Sequence, residues 1–317
     1  FKQKTAYEIL TCDWSSDVCS SDLAGLLCAF TAGRRGRRVL VLERANRPGK
    51  KILMSGGGRC NFTNVHTRPD CFLSANPPFC ISALSRYTPA DFIALVEKHG
   101  IRYHEKHRGQ LFCDHSARAI LTMLLQECAD AGVRIITHCE THRVQANAAG
   151  YRLATSAGEF HARHLVVACG GLSIPRMGGS GYGYELARQF GLGIVPVRPG
   201  LTPFTFSGGE REFMAQLAGV SLPVRISTGG QEFMEDLLFT HRGLSGPAAL
   251  QASNYWQEGK ALTVNLLPQL EVGALLSNAK RERPRLLLRS LLAEHLDRKS
   301  TRLNSSHMSE SRMPSSA

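Results

Sequence analysis

A glycine-rich stretch contains the residue types best suited to binding a ligand. Residues 50–64 read KKILMSGGGRCNFTN, in which consecutive glycines precede Arg59, Asn61 and Thr63. Glycine permits positive φ and a close backbone approach, and a run of backbone amides forms an anion-binding concavity. Arginine, asparagine and threonine add hydrogen-bonding groups. The stretch predicts a loop that wraps a large polar ligand, with Lys51 adding positive charge. A flexible surface loop is the alternative.

A second candidate binding feature is half of a dinucleotide-binding unit. Residues 24–35 have an apolar face at helical spacing, and residues 37–43 read as a buried strand that ends in an acid. In dinucleotide-binding folds a glycine at the start of the helix lies beside the pyrophosphate. An acid about 20 residues later holds the ribose hydroxyls. Gly25 and Glu43 fit this spacing, although a glutamate that merely ends a strand is the alternative.

The elements that must position these residues follow an α/β order. Helical patterns occupy residues 89–99, 116–131 and 181–190, with Thr88 and Ser116 as the expected caps. Strands are predicted at 133–137 and 164–171, with a small antiparallel meander over 142–162. From about residue 196 the pattern changes to short strands and turns, and a Leu- and Arg-rich helix is predicted at 283–296. The order predicts an α/β nucleotide-binding domain followed by a β-rich region.

Four blocks of the sequence carry a family resemblance. They are residues 24–64, QLFCDHSARAI at 110–120, LVVACGGLSIPRMGGSGYGYELA at 165–187 and LLFTHRGLSGPAAL at 237–250. In this order they resemble the BaiN/YhiN-like FAD flavoproteins, a family of NAD(P)/FAD-dependent oxidoreductases that includes aminoacetone-oxidase-type enzymes. The SGGGRCN block is the most specific of the four.

The resemblance implies a fold, a cofactor and a set of contacts. The fold is α/β, a Rossmann-like FAD flavoprotein with two dinucleotide-binding domains, an inserted β-rich domain and a small helical part. Gly25 would flank the pyrophosphate, Glu43 would hold the adenosine ribose, and Val144 would contact adenine through its backbone. The full implied FAD-binding set is Gly25, Glu43, Lys51, Ser55, Gly56, Gly57, Gly58, Arg59, Asn61, Thr63, Val144, Gly170 and Gly171.

Both ends of the chain differ in character from their neighbours. Residues 1–23 show no helical or strand period, and residues 298–317 are Ser-rich with few large apolar groups. Both resemble translated sequencing-adapter DNA, so we expect non-native tails, with disordered native tails as the alternative. Between them we expect an incomplete FAD-binding domain at 24–195, a β-rich inserted domain at 196–268 and a helical part at 269–297.

The match departs from the family pattern at several positions. Ser20 and Asp22 occupy the places of the first two fingerprint glycines, and Cys169 and Tyr182 replace a family threonine and aspartate. The family also continues past residue 297 with a segment that covers the flavin. We therefore expect the first strand of the fold to be missing and this chain to bind FAD poorly or not at all.

Composition bounds the classes of function. The 317 residues carry a formal net charge of +12, with 43% hydrophobic and 20% charged residues. No apolar run is long enough for a transmembrane helix and no secretory signal is recognisable, so a cytoplasmic protein without a membrane partner is expected. The ten cysteines include no C-x-x-C pair, which favours reduced, buried thiols. The charge fits a solvated Arg-rich surface or a surface for an anionic partner.

The favoured function is FAD-mediated hydride or electron transfer between NAD(P)H and an unknown small molecule. A nucleic-acid partner is not expected, because few aromatic residues lie among the basic ones. The alternatives are an RNA-modifying or RNA-binding flavoprotein and an inactive fragment of a flavoprotein. No catalytic acid or base is assigned, no metal site is expected, and the oligomeric state stays open. Cys60 is interpreted as a packing or cofactor-contact residue, with a redox thiol as the alternative.

Overall fold

The computed structural model describes residues 15–19 and 23–295, apart from positions 289 and 293. The chain divides into two compact units, Phe1–Ile194 and Val195–Ala317, which are called the N-terminal and the C-terminal unit. Within the described ranges, the helices lack the length and apolar character required to cross a membrane.

The N-terminal unit contains ten strands and six α-helices among its described residues. The strands are β1 (Ser15–Cys19), β2 (Arg38–Leu42), β3 (Asn61–Asn64), β4 (Tyr103–Glu105), β5 (Gln110–Cys113), β6 (Arg134–Ile136), β7 (Thr141–Asn147), β8 (Gly150–Thr155), β9 (Gly158–Ala162) and β10 (His164–Val167). The helices are α1 (Leu23–Arg34), α2 (Lys50–Met54), α3 (Ile81–Arg86), α4 (Pro89–Lys98), α5 (Arg118–Asp130) and α6 (Tyr182–Gln189).

A four-stranded parallel sheet organises this unit, in the order β10-β1-β2-β6. Helix α1 connects β1 to the neighbouring β2, and the chain reaches β10 on the other side of β1 much later. The direction of winding therefore reverses at β1, as in doubly wound nucleotide-binding folds. Such a reversal creates a crevice outside the carboxyl ends of the strands, where ligands bind.

Strand β1 corrects the expectation that the first strand of the fold is missing. Ser15–Cys19 pairs in parallel with β2 and with β10, so it occupies an inner position of the sheet. Its sequence, SSDVC, lacks the apolar run expected of a buried parallel strand. Parallel pairing with strands on both sides supplies backbone hydrogen bonds to this segment. Residues 1–14 and the fingerprint positions Ser20 and Asp22 lie outside the described residues.

The predicted apolar faces form the core of the N-terminal unit. Leu26 and Ala29 of α1 are fully buried and lie in one cluster with Val41 of β2 and with Met123 and Leu124 of α5. Burial of a leucine side chain of this kind stabilises the fold by about 1.5–3 kcal/mol. The cluster packs α1 and α5 against the sheet, and so positions the start of α1 beside the strand ends.

Most of the predicted elements are confirmed, with shifted boundaries. Helix α4 begins after Thr88 with a capping box to Asp91, as the sequence predicts. Helix α5 begins at Arg118, with Ala117 at the N-cap position, and Ser116 Oγ accepts a hydrogen bond from the Arg118 amide at 3.2 Å, as a capping serine does. The meander is the antiparallel sheet β7-β8-β9. The predicted loop at 55–58 is a 3-10 turn that continues directly from α2.

The C-terminal unit is built on a five-stranded antiparallel sheet, in agreement with the β-rich region predicted from about residue 196. Its strands are β11 (Phe204–Thr205), β12 (Ser221–Thr228), β13 (Gln231–Thr240), β14 (Gly243–Ser245) and β15 (Thr263–Asn265), in the order β11-β14-β13-β12-β15. Its helices are α7 (Gly208–Gln216), α8 (Gly246–Ser253) and α9 (Val272–Glu282). Buried alanines of α8 pack with Val224, Ile226 and Leu237 of the sheet.

The prediction of a single helix at 283–296 is only partly correct. Helix α9 ends at Glu282, and helical residues resume at Leu288, apart from the undescribed positions. Pro284 explains the interruption, because proline has no amide hydrogen to donate and its ring clashes with the preceding helical turn. The helical pattern of this region therefore belongs to two segments.

Candidate cofactor site

Four of the predicted cofactor residues lie at the carboxyl edge of the parallel sheet. Gly25 is buried in the first turn of α1, which follows β1. Glu43 directly follows β2, and Gly170 and Gly171 follow β10. Parallel strands end at the same edge, so the topology brings these residues to the crevice at the reversal point of the sheet.

The Glu43 carboxylate is held in a fixed orientation. Glu43 is 7% exposed, and its Oε1 accepts a hydrogen bond from the Ala45 amide at 2.7 Å. Its backbone amide donates to the Ile136 carbonyl at 2.8 Å, and its own carbonyl accepts from the Cys139 amide at 2.9 Å. A carboxylate oriented at the end of β2 is a suitable acceptor for the hydroxyl groups of a ribose.

Two cations lie beside the loop that follows β10. A Cβ atom added to Gly170 would lie 3.2 Å from Lys51 Nζ, so this ammonium group lies against the Gly170 backbone. Arg44 Nη2 donates to the Gly178 carbonyl at 3.2 Å. Burial raises the pKa of the Cys169 thiol, while the charges of Arg44 and Lys51 act to lower it. Two positively charged side chains therefore lie beside the loop, and their charges suit a pyrophosphate.

Arg44 was missed by the sequence analysis. Its position directly after Glu43 is the signal that could have identified it, because side chains next to a strand's carboxyl end border the ligand crevice of a doubly wound sheet.

The glycine turn is anchored, although much of it is exposed. Gly56 and Gly57 have φ values of 57° and 66°, a left-handed conformation that favours glycine. The Gly58 carbonyl accepts from the Ala117 amide at 2.7 Å, and the Arg59 carbonyl accepts from the Cys113 amide at 3.0 Å. These bonds tie the C-terminal end of the turn to the β5–α5 segment. The geometry therefore differs from that of a freely flexible loop.

The polar residues after the turn point away from the core. Phe62 is 8% exposed and packs in the core, whereas Asn61 is exposed and Thr63 is half-buried. Alternation along β3 places Asn61 and Thr63 on the face opposite Phe62. Helix α2 links this region to the sheet edge, because Lys51 lies near its start and Ser55 follows its end. Five helical residues span about 7.5 Å.

Val144 lies on β7, at one edge of the three-stranded sheet β7-β8-β9. Its side chain is buried in the same cluster as Leu42, the last residue of β2. Its carbonyl accepts a hydrogen bond from Gln189 Nε2 at 2.6 Å. The predicted adenine contact through the Val144 backbone stays a prediction, and Gln189 is a polar neighbour that sequence reasoning missed.

Two buried thiols are neighbours beside the glycine turn. Cys60 directly precedes β3 and Cys113 ends β5, and these two strands are paired. Burial raises the pKa of Cys113 to about 11, with the neighbouring Cys60 contributing. Burial also raises the pKa of Cys60, and a hydrogen bond with Ser55 partly offsets this. Because a protonated thiol is a poor nucleophile, the environment favours packing over redox chemistry.

One of the described histidines is paired with an acid. His104 Nδ1 lies 2.8 Å from Asp114 Oδ1, and its ring stacks on Phe112. In the part of the chain that the structure describes, no group of three or more His, Cys, Asp or Glu side chains is placed to hold a metal ion.

The donor and acceptor groups at the sheet edge fit FAD. A buried carboxylate suits the ribose hydroxyls, and the cations Arg44 and Lys51 suit the pyrophosphate. The exposed amides of the glycine turn and the side chains of Asn61 and Thr63 could contact a further part of an extended dinucleotide. The residues present therefore match the chemistry of the cofactor.

Comparison with known proteins identifies the family. The model described as the HI0933-like protein Rossmann domain matches residues 19–261. The ribosomal RNA dihydrouridine synthase of Escherichia coli (strain K12) is 47% identical over 283 residues, covering 89% of this chain and 71% of that protein. The protein of the same name from Haemophilus influenzae is 42% identical over 287 residues, with the same coverage of 89% and 71%.

A more distant relative is the 3-dehydro-bile acid delta(4,6)-reductase of Clostridium scindens. It is 29% identical over 269 residues, covering 80% of this chain and 64% of that protein. The family match, the parallel sheet with its reversal point and the oriented acid after β2 agree with one another. The chain belongs to the HI0933-like family, and its Rossmann-like fold is that of FAD-dependent oxidoreductases.

Proposed function

We propose that the protein is an FAD-dependent reductase that converts uridine in ribosomal RNA to dihydrouridine, with NAD(P)H as the electron donor. The observation that carries this proposal is the 47% identity, over 89% of the chain, to a ribosomal RNA dihydrouridine synthase. The net charge of +12 supports it, because a polyanionic substrate is attracted to a basic protein. The proposal favours the RNA alternative over the expected small-molecule substrate.

The overall reaction consists of one hydride and one proton added across a conjugated double bond. NAD(P)H loses a hydride and becomes NAD(P)⁺, and uridine gains that hydride at C6 and a solvent-derived proton at C5. The C5=C6 π bond is lost and the C4 carbonyl is kept. When bound, FAD supplies the hydride-transfer chemistry between the two substrates.

The residues of this chain bind and orient the cofactor. Glu43 would hold the adenosine ribose, and Gly25 at the start of α1 would let the backbone approach the pyrophosphate. Arg44 and Lys51 would balance the charge of that group. The anchored turn Ser55–Gly58 would present its amides to the more distal part of the cofactor.

The test uses the full chain with FAD, NADPH and an unmodified ribosomal RNA transcript. Digestion to nucleosides and mass spectrometry should detect dihydrouridine, which carries two more hydrogen atoms than uridine, and only when NADPH is present. Glu43→Ala should strongly reduce the product at FAD concentrations that just saturate the wild type, because the ribose acceptor is lost. FAD binding together with NADPH oxidation but no dihydrouridine would contradict the RNA substrate.

A small-molecule substrate is the second candidate, because one relative is named as a reductase of a 3-dehydro-bile acid. Reduction of a conjugated steroid ketone is the same type of reaction, with hydride added to the far carbon of a double bond conjugated to a carbonyl. Turnover of such a ketone, combined with no reaction on ribosomal RNA, would favour this candidate.

A further inference from the structure

A basic surface lies at the amino edge of the parallel sheet, opposite the cofactor edge. Strands β2 and β6 are neighbours and begin at Arg38 and Arg134. Helix α1 runs away from the cofactor edge and ends at Arg34, and α5 ends at Asp130 shortly before β6. A Cβ on Gly33 would lie 2.5 Å from the Ala131 carbonyl oxygen, so these two helix ends are in contact.

A single buried carboxylate orders three basic side chains on this surface. Glu127 of α5 has a fully buried side chain. It forms an ion pair with Arg34, and its Oε1 lies 2.9 Å from Lys98 Nζ and 2.7 Å from His99 Nε2. The Arg34 and Lys98 side chains remain 46% and 61% exposed. One negative charge therefore holds two permanent cations and a histidine in place while their outer surfaces face solvent.

Among the described residues, cations outnumber acids on this surface. The basic end, as we call it, comprises Arg34, Arg35, Arg37, Arg38, Lys98 and Arg134. Three described acids lie near it: Glu127 pairs with the basic groups, Asp130 accepts a hydrogen bond from Gln126 Nε2 at 2.7 Å, and Glu97 accepts one from the Tyr103 hydroxyl at 2.7 Å. Arg34 and Lys98 lie in the last turns of α1 and α4, where the helix dipole favours cations. Arg38 and Arg134, at the starts of β2 and β6, add further positive charge.

The composition of the basic end favours a nucleic-acid backbone over a membrane. Interfacial membrane binding needs apolar side chains that insert between lipids. No large apolar residue is exposed within the described segments 34–38, 97–102 and 131–134. The exposed aromatic ring of Tyr87 lies near Arg34, and ordered guanidinium and ammonium groups beside an aromatic ring are groups that contact nucleic acids.

We propose that the basic end binds the phosphate backbone of the ribosomal RNA substrate, at a distance from the uridine that is reduced. This inference rests on the proposed function. The surface lies at the edge of the sheet opposite the cofactor edge, so it anchors the RNA and takes no part in hydride transfer. Loss of this anchor should raise the KM for RNA and leave kcat and FAD binding unchanged.

The test compares the full chain with two charge-matched double variants. Arg38→Gln with Arg134→Gln removes two charges from the basic end and keeps the Glu127 ion pairs. Lys280→Gln with Arg281→Gln removes two charges from α9 in the C-terminal unit and is the control. Binding of a fluorescein-labelled fragment of the ribosomal RNA is measured by anisotropy between about 50 and 200 mM salt.

The slope of log K against log salt should become shallower by about 1.4 to 1.8 for the basic-end variant, which corresponds to two lost phosphate contacts. The control should keep the wild-type slope, and both variants should bind FAD like the wild type. If the two variants have equal slopes and the protein still forms dihydrouridine, RNA binding by the basic end is refuted and the proposed function is not. A wild type that neither binds nor reduces the RNA would refute the proposed function as well. Loss of binding to anionic vesicles without any change in RNA binding would assign the surface to a membrane and overturn the proposal.

Discussion

Replacement of Glu43 by glutamine tests the cofactor geometry with little disturbance of the fold. The Glu43 side chain is buried and its Oε1 accepts the Ala45 amide hydrogen at 2.7 Å. Glutamine has nearly the same shape, and its amide oxygen can accept that hydrogen bond. The negative charge that would hold the ribose hydroxyls is lost. The variant therefore separates the structural role of residue 43 from its role toward FAD.

The expected magnitude follows from the strength of charged hydrogen bonds. A hydrogen bond to a charged group contributes about 1.5–3 kcal/mol, against about 0.5–1.5 kcal/mol for a neutral pair. The difference of about 1–1.5 kcal/mol for one ribose hydroxyl corresponds to a roughly tenfold increase in the Kd for FAD. Glu43→Ala loses the interaction altogether and should weaken binding by about a hundredfold.

The assay is a fluorescence titration of FAD with protein, combined with urea denaturation of each apoprotein. Glu140→Gln is the control, because Glu140 is exposed and belongs to the same unit. Its Kd should equal that of the wild type. If Glu43→Gln and Glu43→Ala both bind FAD within twofold of the wild type, Glu43 does not contact the cofactor and the reasoning about the sheet edge is wrong.

Three further variants test the surroundings of the site. Glu127→Ala should lower the free energy of unfolding by about 2–3 kcal/mol in urea denaturation, because its cations lose a buried partner but stay accessible to water; an unchanged midpoint would contradict this. Gly170→Ala, at a φ of 73° and 3.2 Å from Lys51 Nζ, should cost about 1 kcal/mol and weaken FAD binding about fivefold in the same titration; tighter binding would argue against the assigned path of the cofactor. Thr88→Ala removes the side-chain hydrogen bond that is the main cause of the lowered pKa of Asp91, and keeps the bond from the backbone amide of residue 88. That stabilisation is present above the unfolded-state pKa of about 4 and is lost as pH falls through the lower folded-state pKa. The difference in the free energy of unfolding between the variant and the wild type should therefore shrink between pH 7 and about 3. A constant difference would contradict this linkage.

The sequence was informative where pattern and spacing are local. The apolar face of residues 24–35, the strand before Glu43 and the capped helix after Thr88 all occur where they were predicted. Each of these signals depends on residues close in the chain, and burial of one helix face or one strand is enough to produce it.

Features that depend on distant contacts were not predictable in the same way. SSDVC forms β1 because strands from residues 38–42 and 164–167 pair with it on both sides. Cys113 became a neighbour of Cys60 only through the pairing of β3 with β5, more than fifty residues later in the chain. Backbone pairing of this kind leaves little trace in local composition, since it is set by the tertiary fold.

The central claim is that the carboxyl edge of the parallel sheet binds FAD, and hydrogen–deuterium exchange of the full chain with and without FAD tests it most directly. The account predicts slower exchange on FAD addition in peptides covering residues 23–26, 43–45, 50–60 and 168–171, with no change over 221–240 of the C-terminal unit. If FAD slows exchange in none of those four regions, or only in residues 221–240, the account is contradicted.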